Sequence, residues 1–399
     1  MPIPQEKPIK NSIGVYAHIP YCASKCLYCD FNSAVARTAP ERRYTDCLIK
    51  ELASAAKAED AKAGALQTIY IGGGTPSIFS PPPISRLIKA IKELLSPNAD
   101  ENVEITIEIN PESIDDEKLD GYGNAGVNRV SIGVQSFNDA MLKTLGRIHT
   151  AQKAIDAFIL ARKAGFDNIG VDLIFALPGQ SLNDWKAELQ KVVELGAEHI
   201  SLYGLTIEQN TPFYAKYKIL STDGLPSEEE EAQMYEVAVE TLKKAGYVHY
   251  EISNFAMPGR LSRHNQRYWY GLDTIGLGAG AHSFVNTPPW GKRHWNEKNP
   301  ERYMNLVEAG GKASAGGETL TKAQAMTECA MLSLRMIERG IDIAAFCERF
   351  GVAPDTAFKN LGMLKDSGLV SITDNAIRLT PRGVLISNEV FLSLTKTLL

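Results

Sequence analysis

From about residue 15 to residue 206 the chain alternates short β-branched and aromatic runs with stretches in which apolar side chains return every third or fourth position. Few folds accept that alternation, because strands joined by helical crossovers end up parallel and covered by their own helices. The β-like runs lie at 15–20, 68–72, 103–109, 129–134, 170–177 and 199–205, with helical patterns at 44–58, 84–95, 150–164 and 185–195. These six βα units predict an α/β fold, a partial (β/α)6 TIM-like barrel. A closed eight-stranded barrel takes about 250 residues, and the region before Ser227 is two units short.

With 399 residues and 44% hydrophobic content, the chain can fill this core and a smaller second one. Residues 310–317, GGKASAGG, lack both an apolar period and stiffness and read as a linker. Past it come helical patterns at 322–339, 343–350 and 355–367, β-like runs at 369–373 and 376–379, and a last helix, the order of a small C-terminal winged-helix-like domain. The expected organisation is a barrel at 1–226, a barrel-completing segment with the linker at 227–317, and the winged module at 318–399. Nucleic acid is not an expected partner. Net charge is −5, and the module carries nine basic against nine acidic residues, so the electrostatic footprint is missing. The N-terminal MPIPQEKPIKNS has no apolar core of signal-peptide length and no long apolar run follows, so a cytoplasmic location is expected.

Three of the six cysteines, Cys22, Cys26 and Cys29, fall within eight positions in a loop after the first β-like run. Thiolates are the preferred ligands of iron–sulfur clusters, and three of them leave one iron of a [4Fe–4S] cluster open. That iron can chelate the amino and carboxylate groups of S-adenosylmethionine. A zinc knuckle or buried thiols are the other readings, but zinc sites usually add a second CxxC pair, and Cys47, Cys329 and Cys347 stand alone on helical patterns.

Gly72, Gly73 and Gly74, followed by Thr75, end the second β-like run, where a bare backbone can approach a ligand. Glu108, Gln135, Arg147 and Asp172 lie at or soon after the ends of later runs, the rim where parallel βα folds bind ligands; Asp172 qualifies only if its strand stops before Leu177. Glu108 and Asp172 can accept from ribose hydroxyls or an ammonium, Arg147 can pair with a carboxylate, and Gln135 can bond another polar group.

The CxxxCxxC spacing, with Tyr28 before the last cysteine, resembles the radical-SAM signature. The strings YAHIPYCASKCLYCDFN, YIGGGTPS, IEINPES, RVSIGVQSFN, LGRIHT and DLIFALPGQ are similar to those of the oxygen-independent coproporphyrinogen oxidase family. The resemblance implies a radical-SAM barrel with cluster and nucleotide at its open top. It further implies that Tyr16, Gly73, Gly74, Thr75, Glu108, Gln135, Arg147 and Asp172 contact S-adenosylmethionine.

The family has an oxidase branch and a heme-chaperone branch. The oxidases resemble CxxxCxxCxC, whereas this chain has Phe31 where the further cysteine would stand. The segment His264, Asn265, Gln266, Arg267, Tyr268, Trp269 is similar to an HNxxYW motif of the chaperone branch, for which the resemblance implies a part in heme binding. Residues 259–302 hold seven basic against three acidic residues, a surplus that could meet heme propionates. His264 and His282 are both candidate iron ligands. One expectation is therefore a chaperone that delivers heme to acceptors such as cytochromes, with peripheral contact to membrane-bound ones and a reductant such as flavodoxin or ferredoxin. The alternative is an oxidase that decarboxylates porphyrinogen propionates.

Overall fold

The computed structural model describes residues 12–57, 65–95, 102–220 and 224–395. Strands β1 (Ser12–Ile19), β2 (Ala65–Gly73), β3 (Glu104–Ile109), β4 (Arg129–Gln135), β5 (Ile169–Phe175) and β6 (His199–Gly204) pair in parallel and in chain order. Burial is nearly unbroken along each, as in β4, where only Gln135 is not fully buried. Both faces are covered, which is why the sequence shows apolar runs rather than alternation.

Helices α1 (Glu41–Ala55), α2 (Pro81–Leu95), α3 (Asp116–Asn124), α4 (Ala151–Lys163) and α5 (Leu182–Leu195) form the crossovers, and α6 (Glu228–Lys244) follows β6. Local signals set their ends. Thr150 caps α4 by accepting from the Lys153 amide, and Ser181 forms a capping box with Asp184 at the start of α5. The fully buried Trp185 of α5 then donates to the Met234 carbonyl at 2.9 Å and fixes α5 against α6.

The sheet extends beyond the six units on both sides. Past β6 it ends in antiparallel strands β7 (Val248–Glu251) and β8 (Asn254–Ala256). On the free side of β1 comes parallel β9 (Thr274–Leu277), then antiparallel β10 (His282–Val285), β11 (Lys292–Asn296) and β12 (Ser314–Thr319). These twelve strands form one open sheet.

Residues 310–317 are therefore not a linker. Gly310 ends the helix Pro300–Gly310, Gly311 caps it at φ 72°, and Ser314 opens β12. Backbone pairing with β11 holds that strand although most of its side chains are exposed, so the apolar pattern had nothing to register. The C-terminal module has its own core, around Phe346, Phe350, Phe358 and Val390. Its sheet has a strand not expected, Ile341–Asp342, pairing with Ala376–Leu379, which also pairs with Val370–Ile372. The expected helix at 355–367 is two pieces, Pro354–Ala357 and Leu361–Asp366, separated where Phe358 turns into the core. Among the described residues, no helix is long and apolar enough to cross a membrane.

Candidate functional site

After β1 the chain makes a two-residue parallel pairing, Tyr21–Cys22 with Ala34–Val35, so the eleven-residue excursion between them is closed at its base. This excursion carries Cys26 and Cys29. Its middle is stitched to two other loops: the Leu27 amide donates to the Leu145 carbonyl at 3.1 Å, and the Phe213 amide to the Leu27 carbonyl at 3.1 Å. Farther along, Lys25 Nζ donates to the Phe31 carbonyl at 2.7 Å, and Asn32 Nδ2 to the carbonyls of Ala279 at 2.9 Å and Lys298 at 3.1 Å.

The three thiols are free and half-buried, and all face one cavity of about 390 Å³ at the C-terminal ends of the parallel strands. Among the described residues no three His, Cys, Asp or Glu side chains converge on a single ion. Three soft sulfur donors on a loop open to a ligand-sized cavity fit a four-iron cube.

The glycines explain how close the next strand comes. Gly73 has φ 125°, a region that side chains disfavour, and a Cβ on Gly74 would stand 2.8 Å from both the Cys22 sulfur and the Tyr21 carbonyl oxygen. The Gly73 amide donates to Glu108 Oε2 at 2.9 Å, and Tyr70 Oη donates to Oε1 at 2.8 Å. Burial nevertheless pushes the Glu108 carboxyl up to about 7, outweighing those two hydrogen bonds. Asp172 is also raised by burial, despite hydrogen bonding with Ser201 and Ser131.

Arg147 Nη2 donates to Asn110 Oδ1 at 2.9 Å and to the Gly133 carbonyl at 3.1 Å, while Nη1 lies 3.5 Å from the Cys26 sulfur. Asn110 in turn donates to Thr75 Oγ1 at 3.0 Å. Gln135 closes β4 at φ 66°, which re-aims the chain toward the cavity. The cavity thus joins Cys22, Cys26, Cys29, Gly73, Gly74, Thr75, Glu108, Gln135, Arg147 and Asp172. Asp172 does so from mid-strand rather than a strand end, facing inward from β5.

Two expected residues are not brought there. Tyr16 lies below the cavity, its hydroxyl paired with His18 Nδ1 at 2.9 Å and its ring 6.0 Å from that of Tyr70. His264 lies lower still, beside the early part of β2 and β3. Its Nδ1 pairs with Thr68 Oγ1 at 2.8 Å, its Nε2 with Tyr268 Oη at 3.0 Å, and its amide donates to Glu104 at 2.9 Å. With both nitrogens engaged and 1% exposure, this imidazole offers iron no open position, which corrects its reading as an accessible heme ligand. The HNxxYW helix, Arg263–Trp269, instead plugs the barrel. Arg267 donates to the carbonyls of Ser12 and Asp273, and Arg335 of the C-terminal module lies 4.5 Å from the centre of the Trp269 ring.

The local basic surplus is likewise no single patch, since Arg260 pairs with Asp167, Arg267 is buried, and Arg293 pairs with Glu318 and Glu328. Sequence reasoning missed Asn110, Tyr70 and Tyr203. Tyr70 and Asn110 hold the acid and the base of the site, and Tyr203, on β6, lines it.

Residues 16–192 match the radical SAM superfamily, and residues 320–386 match the HemN C-terminal domain. The chain is 37% identical over 384 residues to the heme chaperone HemW of Bacillus subtilis, covering 95% of this chain and 98% of that one. It is 36% identical over 379 residues to heme chaperone HemW of Lactococcus lactis, covering 95% and 96%. Among solved structures, coproporphyrinogen III oxidase (HemN) from Escherichia coli, a radical SAM enzyme, superposes with a TM-score of 0.82 at 25% identity, covering 96% of this chain and 90% of that one.

Proposed function

The chain belongs to the radical SAM superfamily and, within it, to the family of the heme chaperone HemW, and from that membership we propose that it binds heme and hands it to acceptor proteins. Cys22, Cys26 and Cys29 hold a [4Fe–4S] cluster, and the adjoining cavity takes S-adenosylmethionine. When bound, the pair supplies one-electron chemistry at an open iron. The chain's own residues bind and orient: Glu108 and Asp172 accept from the ammonium and hydroxyl groups, Arg147 meets the carboxylate, and Gln135 bonds a further polar group. Acceptors such as cytochromes, some of them membrane-bound, and a reductant such as flavodoxin or ferredoxin complete the cytoplasmic cycle.

The observation that carries this reading is Phe31. Its ring is 67% exposed and lines the mouth of the cavity, where an oxidase of this family would present a further thiol. A phenyl ring can neither ligate a metal nor exchange an electron or proton there. The test is anaerobic reconstitution with iron and sulfide, followed by a heme titration, transfer to an apo-acceptor, and an assay with coproporphyrinogen, reductant and S-adenosylmethionine. Stable heme binding and transfer without porphyrinogen turnover is expected. Turnover without heme binding would make the chain an oxidase.

A further inference from the structure

A heme-handling protein of this kind needs a group for the iron, and the seven histidines sort by whether the ring is open to solvent. Five are buried and bonded. His18 pairs with Tyr16 and the Asn32 carbonyl, His149 with Glu112 and the Val134 carbonyl, His199 with Tyr250, His249 with Tyr235, and His264 with Thr68 and Tyr268. His282 and His294 are exposed, and neither imidazole makes a hydrogen bond among the described residues.

These two differ in what surrounds them. His282 on β10 stands directly opposite Trp295 on β11, and Trp295 opposite Gly316 on β12, so the three form a row across one face. The imidazole stacks on the indole with centroids 5.8 Å apart and planes 28° from parallel. A Cβ on Gly316 would stand 2.6 Å from that indole, so the bare glycine lets the ring lie flat on β12 and fixes the surface against which His282 rests. His294 pairs with Ser283 and points to the other face, with no ring contact among the described residues.

The row adjoins the cluster loop. Asn32, three residues after Cys29, is held by the carbonyls of Ala279 and Lys298, and a Cβ on Gly280 would meet its amide at 2.5 Å. Partial burial, and then the charges of Lys298 and Arg293, push the His282 pKa below its ordinary value. The neutral form is the one that ligates iron. The cavity of about 390 Å³ is the place proposed for the cluster and S-adenosylmethionine, so a macrocycle needs a place beside it.

We infer that His282 is the axial ligand of heme at the β10–β12 face, its imidazole held by the stacked Trp295 and with Lys298 toward the heme carboxylates, next to the cluster cavity rather than inside it. This rests on the heme-handling function proposed above. An unbonded imidazole supplies the coordinate bond, the indole stacked on it holds that imidazole in place, and the lysine is a charge partner for a propionate.

The experiment is a hemin titration of the full-length reconstituted protein, with optical spectra and iron–sulfide content, for wild type, His282→Ala and His294→Ala. His282→Ala should shift the Soret band and weaken binding about tenfold or more, the loss of one strong contact, with cluster content unchanged. Added imidazole should restore the wild-type band position in that variant, which lost packing alone would not allow. His294→Ala should titrate like wild type. A wild-type Soret band and affinity in His282→Ala, with heme still bound, would overturn the assignment and leave the heme function standing. Failure of the wild-type protein to bind hemin would overturn both.

Discussion

The Arg147 guanidinium stands 3.5 Å from the Cys26 sulfur, so a group expected to recognise the nucleotide also places a fixed positive charge on a thiol proposed to hold the cluster. Such a charge stabilises the reduced cluster. Arg147→Gln should therefore lower the midpoint potential in an EPR-monitored redox titration. One partly screened charge is worth ~1 kcal/mol or more, which for one electron is tens of millivolts. A variant with a wild-type potential would separate Arg147 from the cluster.

If Glu108 receives the cationic group of the nucleotide as proposed, binding should depend on pH. The ligand-free Glu108 carboxyl, raised by burial to about 7, is protonated below that value, and a cationic ligand must expel the proton to bind. Affinity for S-adenosylmethionine should rise from pH 6 to pH 8, with a limiting slope of about tenfold per unit on the acid side. Glu108→Gln should bind more weakly and flatten the profile. Equilibrium dialysis checks both, and a flat wild-type profile would speak against Glu108 as the cation's partner.

His264 should prove structural. Ala in its place leaves a cavity beneath Tyr70, whose ring lies 5.1 Å from the imidazole, and orphans the Thr68 and Tyr268 hydroxyls. A cost of about 2–4 kcal/mol is expected, read as a lowered denaturant midpoint. Burial, reinforced by Arg267, pushes the folded His264 pKa down to about 3, so between roughly 6.5 and 3 only the unfolded chain binds this proton. Stability present above pH 6.5 is lost as pH falls through that window, and His264→Gln should lose less over it. A Soret shift in that variant with unchanged stability would restore His264 as an iron ligand.

Gly74→Ala tests the cysteine loop's packing. The new methyl meets the Cys22 sulfur and a backbone oxygen, each 2.8 Å away, and a carbonyl cannot swing aside as a side-chain end can. Reconstituted iron should fall well short of four per chain while circular dichroism stays unchanged. Full iron content would show that the loop yields.

The six parallel strands were legible because burial on both faces writes apolar runs into the sequence, and their ends placed Glu108, Gln135 and Arg147 near the cavity. Asp172 was found for an incomplete reason: it lines the cavity from inside the barrel, where alternation along β5, not the strand's end, decides its direction. Tyr70 and Asn110 were missed because their partners, Glu108 and Arg147, are 38 and 37 residues away. His264 was read as accessible for a similar cause, since Thr68, which closes one of its nitrogens, lies 196 residues off. Backbone pairing made a strand of residues 314–319, where composition suggested a linker.

The most direct test of the account is the EPR spectrum of the anaerobically reconstituted, dithionite-reduced protein before and after S-adenosylmethionine is added. If three thiolates leave an iron open to a cavity bounded by Glu108, Gln135, Arg147 and Asp172, the four-iron signal should change shape and g-values on addition, and Asp172→Ala should need about ten- to a hundredfold more ligand for the same change. A four-iron signal that stays the same at saturating S-adenosylmethionine, or that survives Cys26→Ala, would contradict it.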